Sequence, residues 1–183
     1  MKTFLLGAIV AIAVLGAGGY LFLRLGYLDP RASRKPSRLE MDEAMKFLDA
    51  SVNRRAPRLR DPLPADAATL VRGLGIYEER CAICHGDAAR PQSEIGLALY
   101  PPAPQFLETA PDMPAHDTFF ILRNGIRWTG MPGWKSVLST ERIWTLVTLL
   151  GHMENLPPAV WKAWRADGPA SPRLKSEGAD RHE

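Results

Sequence analysis

Cysteine is scarce: two residues in a chain of 183, too few for a disulfide scaffold. Excess charge of one sign is also missing. Twenty-three Lys/Arg against twenty Asp/Glu leave a net +3, which gives no reason to expect a nucleic acid partner. Long apolar runs are absent beyond Leu28, which excludes a multi-span membrane protein. With 46% apolar and 23% charged residues, the chain is neither wholly disordered nor collagen-like. Sixteen Pro and fifteen Gly are more than a simple helical bundle needs, so much loop is expected.

The small net charge is unevenly spread. Residues 65–157 hold seven basic and ten acidic side chains, whereas residues 31–60 hold nine basic and four acidic. The basic character therefore belongs to the flanks of the expected folded domain.

Phe4 to Leu23 is a run of twenty residues without charge, bracketed by Lys2 and Arg24. As a helix it spans about 30 Å, the hydrocarbon thickness of a bilayer. A cleaved signal peptide is the competing reading, with Leu15-Gly16-Ala17 as a small-residue cleavage site. The apolar stretch continues past that site, through Tyr20–Leu23 and on to Leu28. Residues 1–28 are read as a membrane anchor or signal segment. Charge counting would put the rest of the chain on the cytoplasmic side, because Arg24, Arg31, Arg34, Lys35 and Arg38 outnumber Lys2 and the amino terminus. The motif described next argues for the opposite side.

Residues 29–64 read as a Pro-containing basic connector. Within it Met41, Met45, Leu48 and Val52 follow helical spacing. The expectation is a short amphipathic helix that packs on the domain or lies near anionic headgroups.

The chemistry is concentrated at Cys81-Ala82-Ile83-Cys84-His85. Cys-x-x-Cys-His is the pattern of c-type haem attachment. Two thiols one helical turn apart can add to the two vinyl groups on one edge of a porphyrin, and the following histidine then lies beneath the ring. Other readings of the cysteines remain open. A thioredoxin-like redox pair would want a preceding strand, but Ala65–Arg80 has helical spacing, with Leu70, Leu74 and Tyr77 on one face. A zinc site would need further ligands, which His116 and His152 could supply.

A second axial ligand would be Met or His. Met131 stands in Arg127-Trp128-Thr129-Gly130-Met131-Pro132-Gly133-Trp134, a tight loop that is poorly explained as helix core. It is preferred over Met113, in a Pro-bounded loop, and over Met153, near a helix end. His116 at a helix start and His152 after Gly151 have ordinary solvated, capping or helix-terminal roles open to them. Toward the C-terminus, Ser139 is a good N-cap and Glu141 suits a first turn, with Ile143, Leu146, Val147 and Leu150 on one apolar face.

The sequence resembles a membrane-anchored monohaem cytochrome with a class I cytochrome c domain. The resemblance runs from about Gly73 to Pro157. It rests on Gly73-Leu74-Gly75-Ile76-Tyr77, on Cys81, Cys84, His85 and Gly86, on Tyr100-Pro101-Pro102-Ala103-Pro104, on Arg123-Asn124-Gly125-Ile126 with Thr129-Gly130-Met131-Pro132, and on Ser139–Leu156. It implies an all-α class I cytochrome c fold, three to five helices around one covalent haem c, behind an N-terminal transmembrane helix. The expected domain is 65–157, with a polar, disordered tail over 158–183 in which Trp161 and Trp164 could dock back.

The resemblance also implies Cys81 and Cys84 as attachment points and His85 and Met131 as iron ligands. A carbonyl of Pro101, Pro102 or Pro104 would accept from the axial His, with Arg123, Arg127, Tyr100, Trp128 and Trp134 as candidates near the propionates. A His/Met iron leaves no open position, so the implied role is one-electron transfer and not enzymatic turnover. The expected site is the periplasmic face of a bacterial inner membrane, or the soluble periplasm if the leader is cleaved. Expected partners are a quinol-oxidising complex, a terminal oxidase or a periplasmic dehydrogenase. The alternatives are a haem-bearing subunit of a larger oxidoreductase complex, and a five-coordinate haem enzyme or sensor if Met131 does not ligate.

Overall fold

The structure is a computed structural model and describes residues 1–166. All regular elements among these residues are helical. They fall into two compact units, Met1–Ala32 and the chain from Ser33 onward.

The first unit is α1, Lys2–Arg24, with mean hydropathy 2.2 and no residue buried by the rest of the protein. Its length and composition suffice to cross a bilayer. Near its C-terminal end Phe22 stacks on Tyr27, just past the helix, at 5.4 Å.

In the second unit the stretch expected as a connector opens with a full helix, α2, Arg38–Arg55. Ser37 caps it, its hydroxyl accepting from the Glu40 N–H at 3.1 Å, and it stops where Ala56 precedes Pro57, since a residue before proline disfavours the α region. Val52 is buried and Met41 and Leu48 partly so, whereas Met45 is 47% exposed. Residues beyond α2 also lie on the domain. Arg58 meets His116 at 3.1 Å, and the Asp61 carboxylate accepts from the Thr148 hydroxyl at 2.7 Å.

The core is built by α3, Ala67–Arg80, α6, Ala115–Asn124, and α7, Thr140–Leu150. Asp66 and Ser139 cap α3 and α7 through their side-chain oxygens. The apolar face of α3 is the one its spacing gives: Leu70, Leu74 and Tyr77 are buried. Helix α7 differs from its sequence reading. Every residue from Ile143 to Leu150 is buried, because α3 packs along one side, Trp144 stacks on Phe119 of α6 at 4.2 Å, and Asp61 reaches Thr148. Such a helix is a central post; each fully buried large side chain contributes about 1.5–3 kcal/mol.

The expected tail also differs at its start. Residues 158–166 form α8, Pro158–Ala166, with Val160 and Trp164 buried against α3. The remainder of that expected tail lies outside the described residues.

Candidate haem site

Helix α3 ends at Arg80, and after Cys81 the chain starts a new single turn, α4, Ala82–His85. This break keeps both cysteines and His85 within one turn. The His85 and Cys84 N–H groups both donate to the Cys81 carbonyl, at 2.9 and 3.0 Å. Cys81 is buried, Cys84 is half-buried, and both carry free thiols. Ile83, between them, is 62% exposed, so this edge of the turn faces solvent.

A redox-active or metal-binding thiolate needs a lowered pKa. Burial, reinforced by the neighbouring Cys84, instead pushes the Cys81 thiol up to about 12. Among the described residues no group of three or more His, Cys, Asp and Glu side chains gathers as a metal site. His116 is occupied by Arg58, and His152 Nδ1 lies 2.8 Å from the Thr148 carbonyl near the end of α7. The zinc reading therefore finds no third ligand among the described residues, and α3, which leads into the cysteines, is not the strand a thioredoxin-like pair wants.

His85 is the most constrained group of the site. Its Nδ1 lies 2.8 Å from the Pro104 carbonyl. A carbonyl can only accept, so Nδ1 carries the proton and the Nε2 lone pair is free to bind a metal. Of the three prolines considered from sequence, Pro104 is the one that provides this acceptor. Phe106 stacks on the imidazole at 4.2 Å with the rings 5° from parallel, and its N–H donates to the His85 carbonyl at 3.2 Å. Burial lowers the His85 pKa, opposed by the bond to Pro104, and so favours the neutral ligand form.

The loop that supplies Pro104 is fastened by residues that sequence reasoning missed. Gln105 is buried; its amide donates to the carbonyls of Cys84 and Ala103 at 3.1 and 2.8 Å, and its oxygen accepts from the Ser93 N–H at 2.7 Å. Ser93 Oγ in turn donates to the Ile83 carbonyl and accepts from the Gly96 N–H at 2.9 Å, capping the short helix α5, Glu94–Leu97. Tyr77 was placed in the core but not in the site. Its hydroxyl donates to the Gly86 carbonyl at 2.8 Å. The signal available was its position four residues before Cys81, which faces it toward the attachment turn.

Met131 sits in the loop after α6. Gly125 ends that helix at φ +72°, a conformation that disfavours a side chain. A Cβ there would also lie 2.6 Å from the Gly133 nitrogen, so both glycines are required for the loop to fold back on the helix end. The Ile126 N–H donates to the Met131 carbonyl at 3.1 Å. Thr129 Oγ1 donates to the Ile126 carbonyl at 2.8 Å and accepts from the Met131 N–H at 3.1 Å. The partly buried Met131 packs against the same apolar cluster that contains Cys81 and Ala82.

Of the remaining candidates, Trp134 has its indole N–H buried without an acceptor, whereas Trp128 is 86% exposed with Arg127 over its ring. The Tyr100 hydroxyl donates to Glu40 of α2. Arg123 lies on a groove of about 390 Å³ with Pro57, Leu59, Phe119, Phe120 and Asn124.

Two free thiols, an imidazole with one nitrogen already oriented, a thioether in a glycine-fixed loop and a buried indole donor without a partner together fit haem c. They offer covalent, axial and peripheral contacts to a group with an apolar body and acidic substituents.

Residues 68–150 match the family "Cytochrome C oxidase, cbb3-type, subunit III". No curated protein matches the chain. The matched stretch runs from the first turn of α3 through the attachment turn and α6 to the end of α7. The matched residues therefore form a class I cytochrome c domain, the kind that binds haem c covalently and serves electron transfer.

Proposed function

We propose that the domain carries single electrons at a haem iron held between His85 and Met131, with the porphyrin bound covalently through Cys81 and Cys84. The observation that supports this best is the orientation of His85, with Nδ1 on Pro104 and the ring against Phe106, within the turn that bears both thiols. When bound, haem c supplies a one-electron Fe(III)/Fe(II) couple, and a thioether ligand raises its potential.

The residues around it do three things. Pro104 holds the Nδ1 proton, which fixes the tautomer and raises the basicity of Nε2. Thr129, Gly125 and Gly133 fix the backbone of Met131, so that the sulfur is presented without large reorganisation. The buried side chains about Cys81 exclude water, which favours the less charged oxidation state. Were His85 and Met131 both to hold the iron, no open position would remain for a substrate, which leaves electron transfer to a protein partner.

The chain is read as anchored by α1, with the haem domain on the periplasmic side of a bacterial inner membrane. There it would accept electrons from a quinol-oxidising complex or a periplasmic dehydrogenase and pass them to a terminal oxidase. The match to an oxidase subunit favours a second form of the same reading, a haem-bearing subunit within an oxidase complex. Purification of the full-length chain from membranes in mild detergent separates the two. A stoichiometric complex supports the subunit form, and a monodisperse haem protein the free carrier. Carbon monoxide tests the ligation: Met131→Ala should bind it in the reduced state and the parent protein should not. Binding by the parent would overturn Met131 as a ligand and bring forward the five-coordinate enzyme or sensor.

A further inference from the structure

Helix α8 lies outside the family match, residues 68–150, yet it is joined to the histidine-bearing turn. Trp164 is 3% exposed and Val160 fully buried. The Trp164 ring meets Tyr77 edge-on, centroids 5.7 Å apart and planes 86° to one another, and its indole N–H donates to Glu78. Trp161 lies 5.0 Å from Trp164, with the Arg165 guanidinium 5.1 Å above it.

Tyr77, itself fully buried, touches the site twice. Its hydroxyl binds the carbonyl of Gly86, the residue after His85. Its ring lies 6.4 Å from Phe106, which stacks on the His85 imidazole.

We propose that α8 is a positioning element for His85: Trp164 fixes Tyr77, and Tyr77 holds both the peptide that follows the histidine and the ring that flanks its imidazole. The inference rests on His85 being an iron ligand. Its physical basis is that an axial ligand must be held by residues whose own rotamers are locked by packing. Tyr77 meets Phe106 with one part of its surface and Trp164 with another. Without the indole Tyr77 gains freedom, and two of the lateral restraints on His85 loosen together. Trp164 meets Tyr77 and Glu78 of α3, and of these two Tyr77 is the one joined to the His85 turn.

The test uses the full-length haem-loaded chain and four variants: Trp164→Ala, Trp164→Phe, Tyr77→Phe and the double variant Trp164→Ala/Tyr77→Phe. The readouts are the electron paramagnetic resonance g values of the oxidised protein, the midpoint potential and the thermal melt. Trp164→Ala should shift the g values and the potential. Trp164→Phe, which keeps an aromatic edge on Tyr77 but loses the bond to Glu78, should restore both. In the Tyr77→Phe background the shift caused by Trp164→Ala should fall to less than half.

A lowered melt with unchanged g values and potential would make α8 a stabilising element only and overturn the proposal. An undiminished shift in the Tyr77→Phe background would overturn the route through Tyr77. If Trp164→Ala does not take up haem, Trp164→Leu carries the same comparison. Ligation by His85 is read separately, from hyperfine coupling to ¹⁵N-labelled histidine in the parent protein, so its failure is distinguishable from failure of the α8 role.

Discussion

Tyr77 and Glu78 are neighbours on α3 with opposite surroundings. The Tyr77 hydroxyl is buried and serves the Gly86 carbonyl. Tyr77→Phe removes that donor and strands a buried acceptor, so unfolding of the haem-loaded protein by denaturant should show a loss of about 1–3 kcal/mol. The Glu78 carboxyl is pushed above its ordinary 4.5 by partial burial, a shift reduced by the bond from Trp164. Its protonated form is thus favoured by folding. The resulting stability is full below about 4.5 and is lost as pH rises through the higher folded-state value. Glu78→Gln keeps an acceptor for Trp164 and removes the titration. Thermal melts across the acid-to-neutral range should therefore depend less on pH than those of the parent. An unchanged pH dependence would show that Glu78 does not contribute to it.

At the same scale, the attachment turn was legible in sequence because its five residues are contiguous. The acceptor for His85 was narrowed to three prolines and no further, since which carbonyl faces the imidazole is decided by the fold of the 93–105 loop. Phe106, Gln105 and Ser93 were not legible. Their roles come from hydrogen bonds and ring contacts between residues ten or more apart in sequence.

At the scale of the helices, the α3–α7 crossing is set by Gly73, where an added Cβ would stand 2.9 Å from Leu149 Cβ and 3.0 Å from the Thr145 carbonyl. Gly75, two residues on, has no neighbour within 4 Å of such an atom. The two glycines should respond oppositely to alanine. Gly73→Ala forces the helices apart and should cost about 1–3 kcal/mol, whereas Gly75→Ala should stabilise by about 0.5–1 kcal/mol through helix propensity. Chemical denaturation of the two variants checks both signs.

The α7 helix also shows why its burial was half read. Thr145 and Thr148 look polar in sequence, but the Thr145 hydroxyl donates to the Glu141 carbonyl one turn back at 3.0 Å, and the Thr148 hydroxyl shares its one proton between Asp61 at 2.7 Å and the Trp144 carbonyl at 3.0 Å. They therefore enter the core with their polarity satisfied. Helix α8 was half legible: docking of Trp164 was expected, but not the helix that carries it. Its apolar pair, Val160 and Trp164, stands among Lys162 and Arg165, and only the packed partner on α3 reveals it.

At the scale of the molecule, a domain of about ninety residues has a small core of its own, and the haem is expected to supply much of its buried apolar surface. The Cys81→Ala/Cys84→Ala variant should lose its cooperative melt, followed by far-ultraviolet circular dichroism on heating. A native-like transition in that variant would mean that the helices suffice alone. The uncharged run of α1 made a membrane or export segment legible, with the anchor preferred because the apolar stretch runs past the small-residue cleavage site, and the leader as the competing reading. Deletion of residues 1–28 behind a cleavable export signal should move the haem protein from the membrane fraction to the soluble periplasm if α1 is the anchor.

The most direct measurement is the near-infrared absorption spectrum of the oxidised, full-length protein solubilised from membranes. The expected spectrum contains the methionine-to-iron charge-transfer band, lost in Met131→Ala and retained in Met113→Leu and Met153→Leu variants that fold. A c-type visible spectrum without that band, or a band that survives Met131→Ala, would contradict the His85/Met131 carrier.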